Sequence, residues 1–308
     1  MITSMSFATH QTTFQVDSVT RLSHLTKLEI QDLTYPPEGT LYNITWLKSL
    51  SLACSRNEAY SIPAEIGNLT QLTQLRIPNC PFGDEIATVS QLTTLVDLEL
   101  LANRIHAMWT LTQNSFPTLM NLDLRSNLIS LNTIAYLQNL TALTSLDLSS
   151  NQLSGDGLAQ GNLSLPNLQY LNLSNNQLTG GIPDSFPTMT SLVSLNLSFN
   201  YMEGTIPPSL GRCNSLATLA TNGTSLTCPD SYTSCGVPQN ASSAFCHTCP
   251  DFCATCGKSK PTAMAAADTP KSGLSTAAIV AIITAVAAAL AVAVLLFFYC
   301  WFNSRRPK

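Results

Sequence analysis

The sequence predicts an α/β-type solenoid, in which a short strand and turn repeat along the chain, followed by one hydrophobic helix. Residues 275–302 carry no charged side chain, and asparagine recurs in one short motif at Asn103, Asn127, Asn151, Asn176 and Asn200. Charged residues make up only 10% of the 308 residues, and the formal net charge is −4. With no basic stripe, the composition gives no indication of a nucleic-acid partner.

The repeat is the strongest signal in the sequence. Segments 95–105, 119–129, 143–153, 168–178 and 192–202 all fit L-x-x-L-x-L-x-x-N-x-L, as in LTSLDLSSNQL. Degenerate copies occupy 25–35, 47–57 and 72–82, and a partial copy, LATLA, occupies 216–220. A fixed period of this length is typical of a solenoid, so we expect roughly eight or nine turns within residues 22–222.

The spacing of the motif predicts its local structure. In L-x-L the side chains alternate between the two faces of a strand, so the leucines point inward. Stacked strands then form a parallel sheet over a continuous leucine core. The asparagine turns inward after the strand, where its amide bonds backbone groups that would otherwise be buried without partners. Cys80 stands at the asparagine position of segment 72–82 and is expected to be structural.

The repeats resemble a known family. Segments 165–188 and 189–212 read LPNLQYLNLSNNQLTGGIPDSFPT and MTSLVSLNLSFNYMEGTIPPSLGR, and SIPAEIGN at 61–68 has a similar ending. They resemble the plant-type leucine-rich repeat (LRR) of receptor kinases, receptor-like proteins and polygalacturonase inhibitors. The resemblance covers about residues 22–220 and implies a horseshoe with its parallel β-sheet on the concave face. Residues 86–165 lack the G-x-I-P element, so we expect an irregular convex side there.

The apolar run at 275–302 is long enough to cross a bilayer, which requires about 20 residues. It ends in an aromatic cluster at 297–302, and the tail 303–308 contains Arg305, Arg306 and Lys308. By the positive-inside rule, the basic tail places the C-terminus in the cytosol and the repeats outside the cell, in a single-pass protein of the plasma membrane. A glycosylphosphatidylinositol signal is the alternative, which the basic tail disfavours.

Residues 1–21 contain no apolar signal-peptide region and no cysteine cap. We expect them to be irregular and to represent a truncated cap; the alternative is that residues 275–302 act as the export signal. N-x-S/T sequons, which predict glycosylation outside the cell, occur at Asn43, Asn68, Asn139, Asn162, Asn172, Asn196, Asn222 and Asn240.

A cysteine-rich module is predicted at 223–256, before a flexible stalk at 257–274. Zinc is one interpretation of its paired C-x2-C motifs, but the pairs lie too close together for two ligand pairs. Disulfides are favoured outside the cell, with their pairing open among Cys228, Cys235, Cys246, Cys249, Cys253 and Cys256. Cys54 and Cys213, within the repeats, are predicted to be buried thiols that form no disulfide.

The strand residues between the leucines line the concave face, which is the predicted binding surface. Its central row is Arg76, Glu99, Asp123, Asp147, Asn172 and Asn196, flanked by Arg125, Tyr170 and Phe199. The acidic stretch from 99 to 147 suits a basic peptide, although any solvated face also needs polar residues. Glycans on Asn172 and Asn196 would confine the ligand to repeats 72–147.

The four histidines fall into no catalytic or metal motif, so we predict no enzyme activity, no metal and no cofactor. The resemblance implies a receptor-like protein that recognises an extracellular peptide, glycan or protein and signals through a partner (co-receptor) kinase. One alternative is a truncated gene model of a receptor kinase. Another is a cell-surface adhesive, structural or inhibitor-type LRR protein.

Overall fold

The computed structural model describes residues 3–8, 23–33, 39–55, 62–83, 86–106, 116–130, 137–156, 158, 165–184, 189–207, 209–210, 213, 215–229 and 248. All of them belong to the unit Met1–Pro261. The strands are β1 Ser4–Ala8, β2 Lys27–Leu33, β3 Ser49–Cys54, β4 Gln74–Arg76, β5 Asp97–Glu99, β6 Asn121–Asp123, β7 Ser145–Asp147, β8 Ser154–Gly155, β9 Tyr170–Asn172, β10 Gln177–Gly180, β11 Ser194–Asn196, β12 Tyr201–Thr205, β13 Thr218–Ala220 and β14 Ser225–Thr227. The helices are α1 Ile86–Val89 and two 3-10 helices, Gly39–Asn43 and Ala64–Asn68.

One parallel sheet runs through the repeats, in the order β1-β2-β3-β4-β5-β6-β7-β9-β11-β13. Every predicted repeat, including the degenerate copies at 25–35, 47–57 and 72–82, contributes one strand. The leucines stand in register, as in Leu98 opposite Leu122 and Leu122 opposite Leu146. These side chains are almost fully buried, so the leucine-core solenoid predicted from the spacing is confirmed.

Strand β1 lies within a segment that was expected to be irregular. It pairs in parallel with β2, and Met5 and Phe7 stand opposite Leu28 and Ile30. Both side chains pack against the leucine core. The sequence signal was present but weak, because M-x-F replaces L-x-L at residues 5–7. The sheet therefore begins one strand earlier than the motif predicts.

The opposite side of the repeats differs from an α/β arrangement. In the described residues it consists of two 3-10 helices, the four-residue α1, and a second parallel sheet of order β14-β12-β10-β8. Strands β10 and β12 lead into the G-x-I-P elements at residues 180–183 and 204–207. In the part of the chain that the structure describes, the fold is therefore better described as a β-solenoid.

Buried asparagines form a ladder behind the main sheet. Nδ2 of Asn151 donates to the carbonyls of Leu148 and Ser149 in its own turn and of Leu124 in the preceding turn, at 3.0–3.2 Å. Its Oδ1 accepts the N–H of Ile129, 3.0 Å away. The pattern repeats at Asn127, Asn176 and Asn200. The predicted role of these residues, to satisfy backbone groups at the turn, is confirmed.

A disulfide joins Cys54 to Cys80, with 4.9 Å between the two Cα atoms. The prediction that Cys54 forms no disulfide was wrong. The register between β2 and β3 shifts between Ile30 and Leu33, so that Cys54 stands opposite Leu33. Leu33 stands at the asparagine position of its own repeat. The register shift therefore aligns Cys54 with the asparagine positions of the neighbouring repeats, one of which is held by Cys80. Cys213 is buried, as expected.

Most of the predicted C-terminal part lies outside the described residues. This includes five of the six module cysteines, the stalk 257–274, the apolar run 275–302 and the tail 303–308. Cys228 is disulfide-bonded. None of the helices in the described ranges is long and apolar enough to span a bilayer.

Candidate ligand-binding face

The solvent-facing side of the ten-stranded sheet, here the concave face, carries two parallel rows of side chains. The central row is the one predicted from the sequence, and the structure aligns its members strand by strand. A first row lies two residues earlier on each strand and consists of Gln74, Asp97, Asn121, Ser145, Tyr170 and Ser194. Adjacent strands lie about 4.8 Å apart, so neighbouring members of a row are within contact distance.

Two ion pairs cross this face. Nε of Arg76 lies 2.8 Å from Oε2 of Glu99 on the next strand, and its Nη2 donates to Oε1 at 3.1 Å. Arg125 and Asp123 form the second pair, at 3.0 Å, with Arg125 two residues beyond the end of β6. Each guanidinium thus offsets one carboxylate of the central row.

Asp97 and Asp147 are held differently. Asp97 accepts hydrogen bonds from Nε2 of Gln74, at 2.9 Å, and from Nδ2 of Asn121. Asp147 accepts from the backbone and hydroxyl of Ser149 and from Nδ2 of Asn172. In the part of the chain that the structure describes, these partners are all neutral. The charges of these two carboxylates therefore remain uncompensated, and the face is electronegative here.

Four residues of the central row also close turns. Oδ1 of Asp123, Asp147, Asn172 and Asn196 each accepts the backbone N–H two residues later, at 2.8–3.2 Å. This is an Asx-turn, a local motif that aspartate and asparagine both support. The Asx-turn thus requires aspartate or asparagine at these four positions of the central row. It does not determine which of the two residues is present.

A groove of about 410 Å³ crosses the two rows over β4 to β7. Its polar lining comes from Gln74, Arg76, Asp97, Glu99, Asn121, Asp123, Ser145 and Asp147. Four of these residues were predicted as binding residues: Arg76, Glu99, Asp123 and Asp147. Arg125, Tyr170 and Phe199 were also predicted, but they do not line the groove.

Sequence reasoning missed the first-row members of the groove. Their signal was available, because each directly precedes the middle leucine of L-x-x-L-x-L and must face the same way as the central row. Asp97 is the most important omission, since it adds a carboxylate to the four-strand segment.

Burial raises the pKa of Asp123 above its usual range. The backbone N–H and the guanidinium of Arg125 act in the opposite direction, whereas Asp147 and Glu99 raise the pKa further. A carboxyl in these surroundings gains from a cation placed in the groove, because the cation offsets both the lost hydration and the neighbouring negative charge.

The predicted glycosylation sites fall into three groups. Asn43, Asn68 and Asn222 are exposed, and Asn139 is half-buried. Asn172 and Asn196 are half-buried on the concave face, where they close the turns described above. Asn162 and Asn240 lie outside the described residues.

Among the residues that the structure describes, no group of three histidine, cysteine, aspartate or glutamate side chains is placed to hold a metal ion.

Two family models match the chain. One, described as Leucine rich repeat, covers residues 156–202, and another of the same description covers residues 139–159. A search of curated proteins found no match.

Solved structures extend the likeness over most of the repeats. The LRR ectodomain of the Arabidopsis thaliana receptor kinase GASSHO1/SCHENGEN3, in complex with CASPARIAN STRIP INTEGRITY FACTOR 2, is 28% identical with a TM-score of 0.53. That match covers 66% of this chain and 24% of the receptor chain. The Arabidopsis receptor kinase HAESA, in complex with the peptide hormone IDA and the co-receptor SERK1, is 25% identical with a TM-score of 0.59. It covers 72% of this chain and 37% of HAESA.

An LRR protein of Leptospira interrogans shares the fold, with 23% identity, a TM-score of 0.57, and coverage of 74% of this chain and 62% of that one. The chain spans well under half the length of the two plant receptors. The repeat motif, the parallel sheet with its asparagine ladder, the family models and these structures agree. The chain is similar to leucine-rich-repeat proteins, among them the ectodomains of plant receptor kinases.

Proposed function

We propose that the chain is the recognition part of a receptor-like protein and that its concave face binds an extracellular peptide with basic side chains. The observation that carries this proposal is the groove over β4 to β7, whose lining includes four carboxylates and one guanidinium group, that of Arg76. The likeness to HAESA, whose structure contains a peptide hormone and a co-receptor, supports a peptide over a small molecule.

The form of the groove supports an extended ligand. It is open, shallow and spread over four strands, with polar side chains at regular intervals. Such a surface contacts successive side chains of an extended chain. Asp97 and Asp147 lie two strands apart in the groove segment, on β5 and β7. We propose that each pairs with one lysine or arginine of the ligand.

Membrane anchoring and signalling form the second part of the proposal. Residues 275–302 would form a single membrane-spanning helix, with the repeats outside the cell and the tail 303–308 in the cytosol. Signalling would pass through a partner kinase, by analogy with HAESA, whose structure contains the co-receptor SERK1. Export is tested by glycosidase treatment of the chain expressed in cells, together with protease protection of a C-terminal tag. A tag digested in intact cells contradicts this topology.

Ligand recognition is tested by peptide selection. The full chain, purified in a mild detergent, is used to select binders from a random library of linear peptides, and the binders are sequenced. We expect enrichment of lysine and arginine at two positions, and hydrogen-exchange protection on β4 to β7 when a selected peptide is bound. Selection of acidic or purely apolar peptides, or protection confined to the second sheet, contradicts the proposal.

A further inference from the structure

Phe199 is an unusual residue for its position. Its backbone has φ +57°, in the left-handed region that bulky residues rarely adopt. The same position in the preceding turns is held by Asn79, Ala102, Ser126, Ser150 and Asn175, which all have similar φ values. A phenylalanine here is strained, and 59% of it is exposed to solvent. Strain kept at an exposed position suggests a role outside the fold itself.

The ring of Phe199 leans onto the next turn of the solenoid. A Cβ built on Gly223 would lie 2.9 Å from Cδ1 of Phe199, so the ring covers the space that a side chain at 223 would need. Gly223 has φ +72°, and the N–H of Thr224 donates to the carbonyl of Thr221, 3.2 Å away. These features describe a β-turn over 221–224 with glycine at its third position. The ring therefore packs on the tip of a tight turn.

The second position of this turn is Asn222, in the sequon Asn222-Gly223-Thr224. Asn222 is exposed, and its carbonyl accepts the N–H of Phe199 at 2.7 Å. The backbones of Phe199 and Asn222 are thus hydrogen-bonded, and the ring of Phe199 lies against Gly223, the residue that follows Asn222. A pyranose has an apolar C–H face that packs well on an aromatic ring, because both surfaces leave water.

We propose that Asn222 carries an N-linked glycan and that Phe199 is the surface on which its first sugar stacks. Attachment from a lipid-linked oligosaccharide joins the anomeric carbon to Nδ2 of Asn222, releasing one amide proton and the lipid diphosphate. The stacked sugar covers the exposed ring at the last turn of the main sheet. This inference rests on the export of the repeats in the proposed function, but it is independent of the peptide groove.

The test uses the full chain behind a cleavable secretory leader, so that entry into the secretory pathway does not depend on the chain's own signals. The parent, Phe199→Ala and Phe199→Trp are each prepared with and without Asn222→Gln. Tyr201→Ala is the matched control, because Tyr201 is even more exposed (72%) but lies on β12. Glycan occupancy is read by mass spectrometry, and stability by the thermal midpoint.

We expect Asn222 to be occupied and its glycan to raise Tm by about 2–4 °C, a shift typical of one modest contact in a domain of this size. That rise should persist in Phe199→Trp and Tyr201→Ala and vanish in Phe199→Ala. An unoccupied Asn222, or an equal rise in Phe199→Ala, overturns the inference. Peptide binding to the groove should be the same in all these variants, so a failure here leaves the proposed function standing.

Discussion

Cys54 and Cys80 are joined by a disulfide in the column that asparagine fills in the following turns. The N–H of Phe82 donates to the carbonyl of Cys80 at 2.6 Å. In later turns the equivalent N–H donates to an asparagine Oδ1, as Ile105 does to Asn127. Asn103 therefore begins the ladder with a buried Oδ1 that has no hydrogen-bond partner among the described residues. The disulfide and the ladder are two different ways to hold adjacent turns together.

Removal of the disulfide should destabilise the N-terminal turns. The two cysteines are 26 residues apart, and closing a loop of that length stabilises the folded state by about 3–4 kcal/mol. We expect Cys54→Ala/Cys80→Ala to lower the denaturant midpoint of the full chain accordingly. Reductant should lower the midpoint of the parent by more than that of the double variant, because the disulfide of Cys228 is present in both proteins. Equal sensitivity of both proteins to reductant would show that other disulfides dominate.

The ladder predicts unequal effects of one substitution at two places. Asn151→Ala removes four hydrogen bonds and leaves buried backbone groups unsatisfied, which should cost about 3 kcal/mol. Asn103→Ala removes three and also eliminates the orphaned Oδ1. We expect Asn103→Ala to lower the free energy of unfolding by about 1 kcal/mol less than Asn151→Ala does. Urea unfolding of the two variants measures the difference, and a larger loss at Asn103 would contradict this account.

Asp123 predicts a dependence of stability on pH. Because its pKa in the folded chain lies above the unfolded value of about 3.9, protonated Asp123 stabilises the fold. That stabilisation is complete below the unfolded pKa and is lost as pH rises through the folded pKa. Asp123→Asn should therefore be more stable than the parent at pH 7, with the difference shrinking towards pH 4.

The control for this prediction is Asp123→Ala. Asparagine keeps the acceptor for the N–H of Arg125, as Asn172 does for Ser174 in the same row, but alanine does not. We expect Asp123→Ala to be less stable than Asp123→Asn at every pH. If Asp123→Asn is less stable than the parent at pH 7, the stabilisation from the ion pair with Arg125 is larger than the cost of burying the Asp123 carboxylate.

Much of the fold follows directly from the sequence, because the motif repeats at nearly constant spacing. The leucine columns, the asparagine ladder and the central row all required only that adjacent turns stack in register. The disulfide did not follow, since it depends on a local register shift between Ile30 and Leu33. Strand β1 was missed because methionine and phenylalanine replace its leucines.

The candidate site was predicted less completely. The central row was identified, but its uncompensated charge depends on which carboxylates lie near guanidinium groups, and only the structure shows those contacts. Phe199 was expected to flank the ligand site. The structure places its ring against Gly223 on the next turn, a contact between residues far apart in sequence that no motif encodes.

The measurement that tests the central claim most directly is the affinity of a selected basic peptide for a chain with a neutralised groove. Asp97→Asn/Asp147→Asn removes the two uncompensated charges and keeps the side-chain shapes. Glu65→Gln/Glu203→Gln removes two exposed charges outside the main sheet. We predict a loss of about tenfold or more for the first variant, the size of one charge-assisted hydrogen bond, and little change for the second. Equal affinities of both variants would contradict recognition by the concave face.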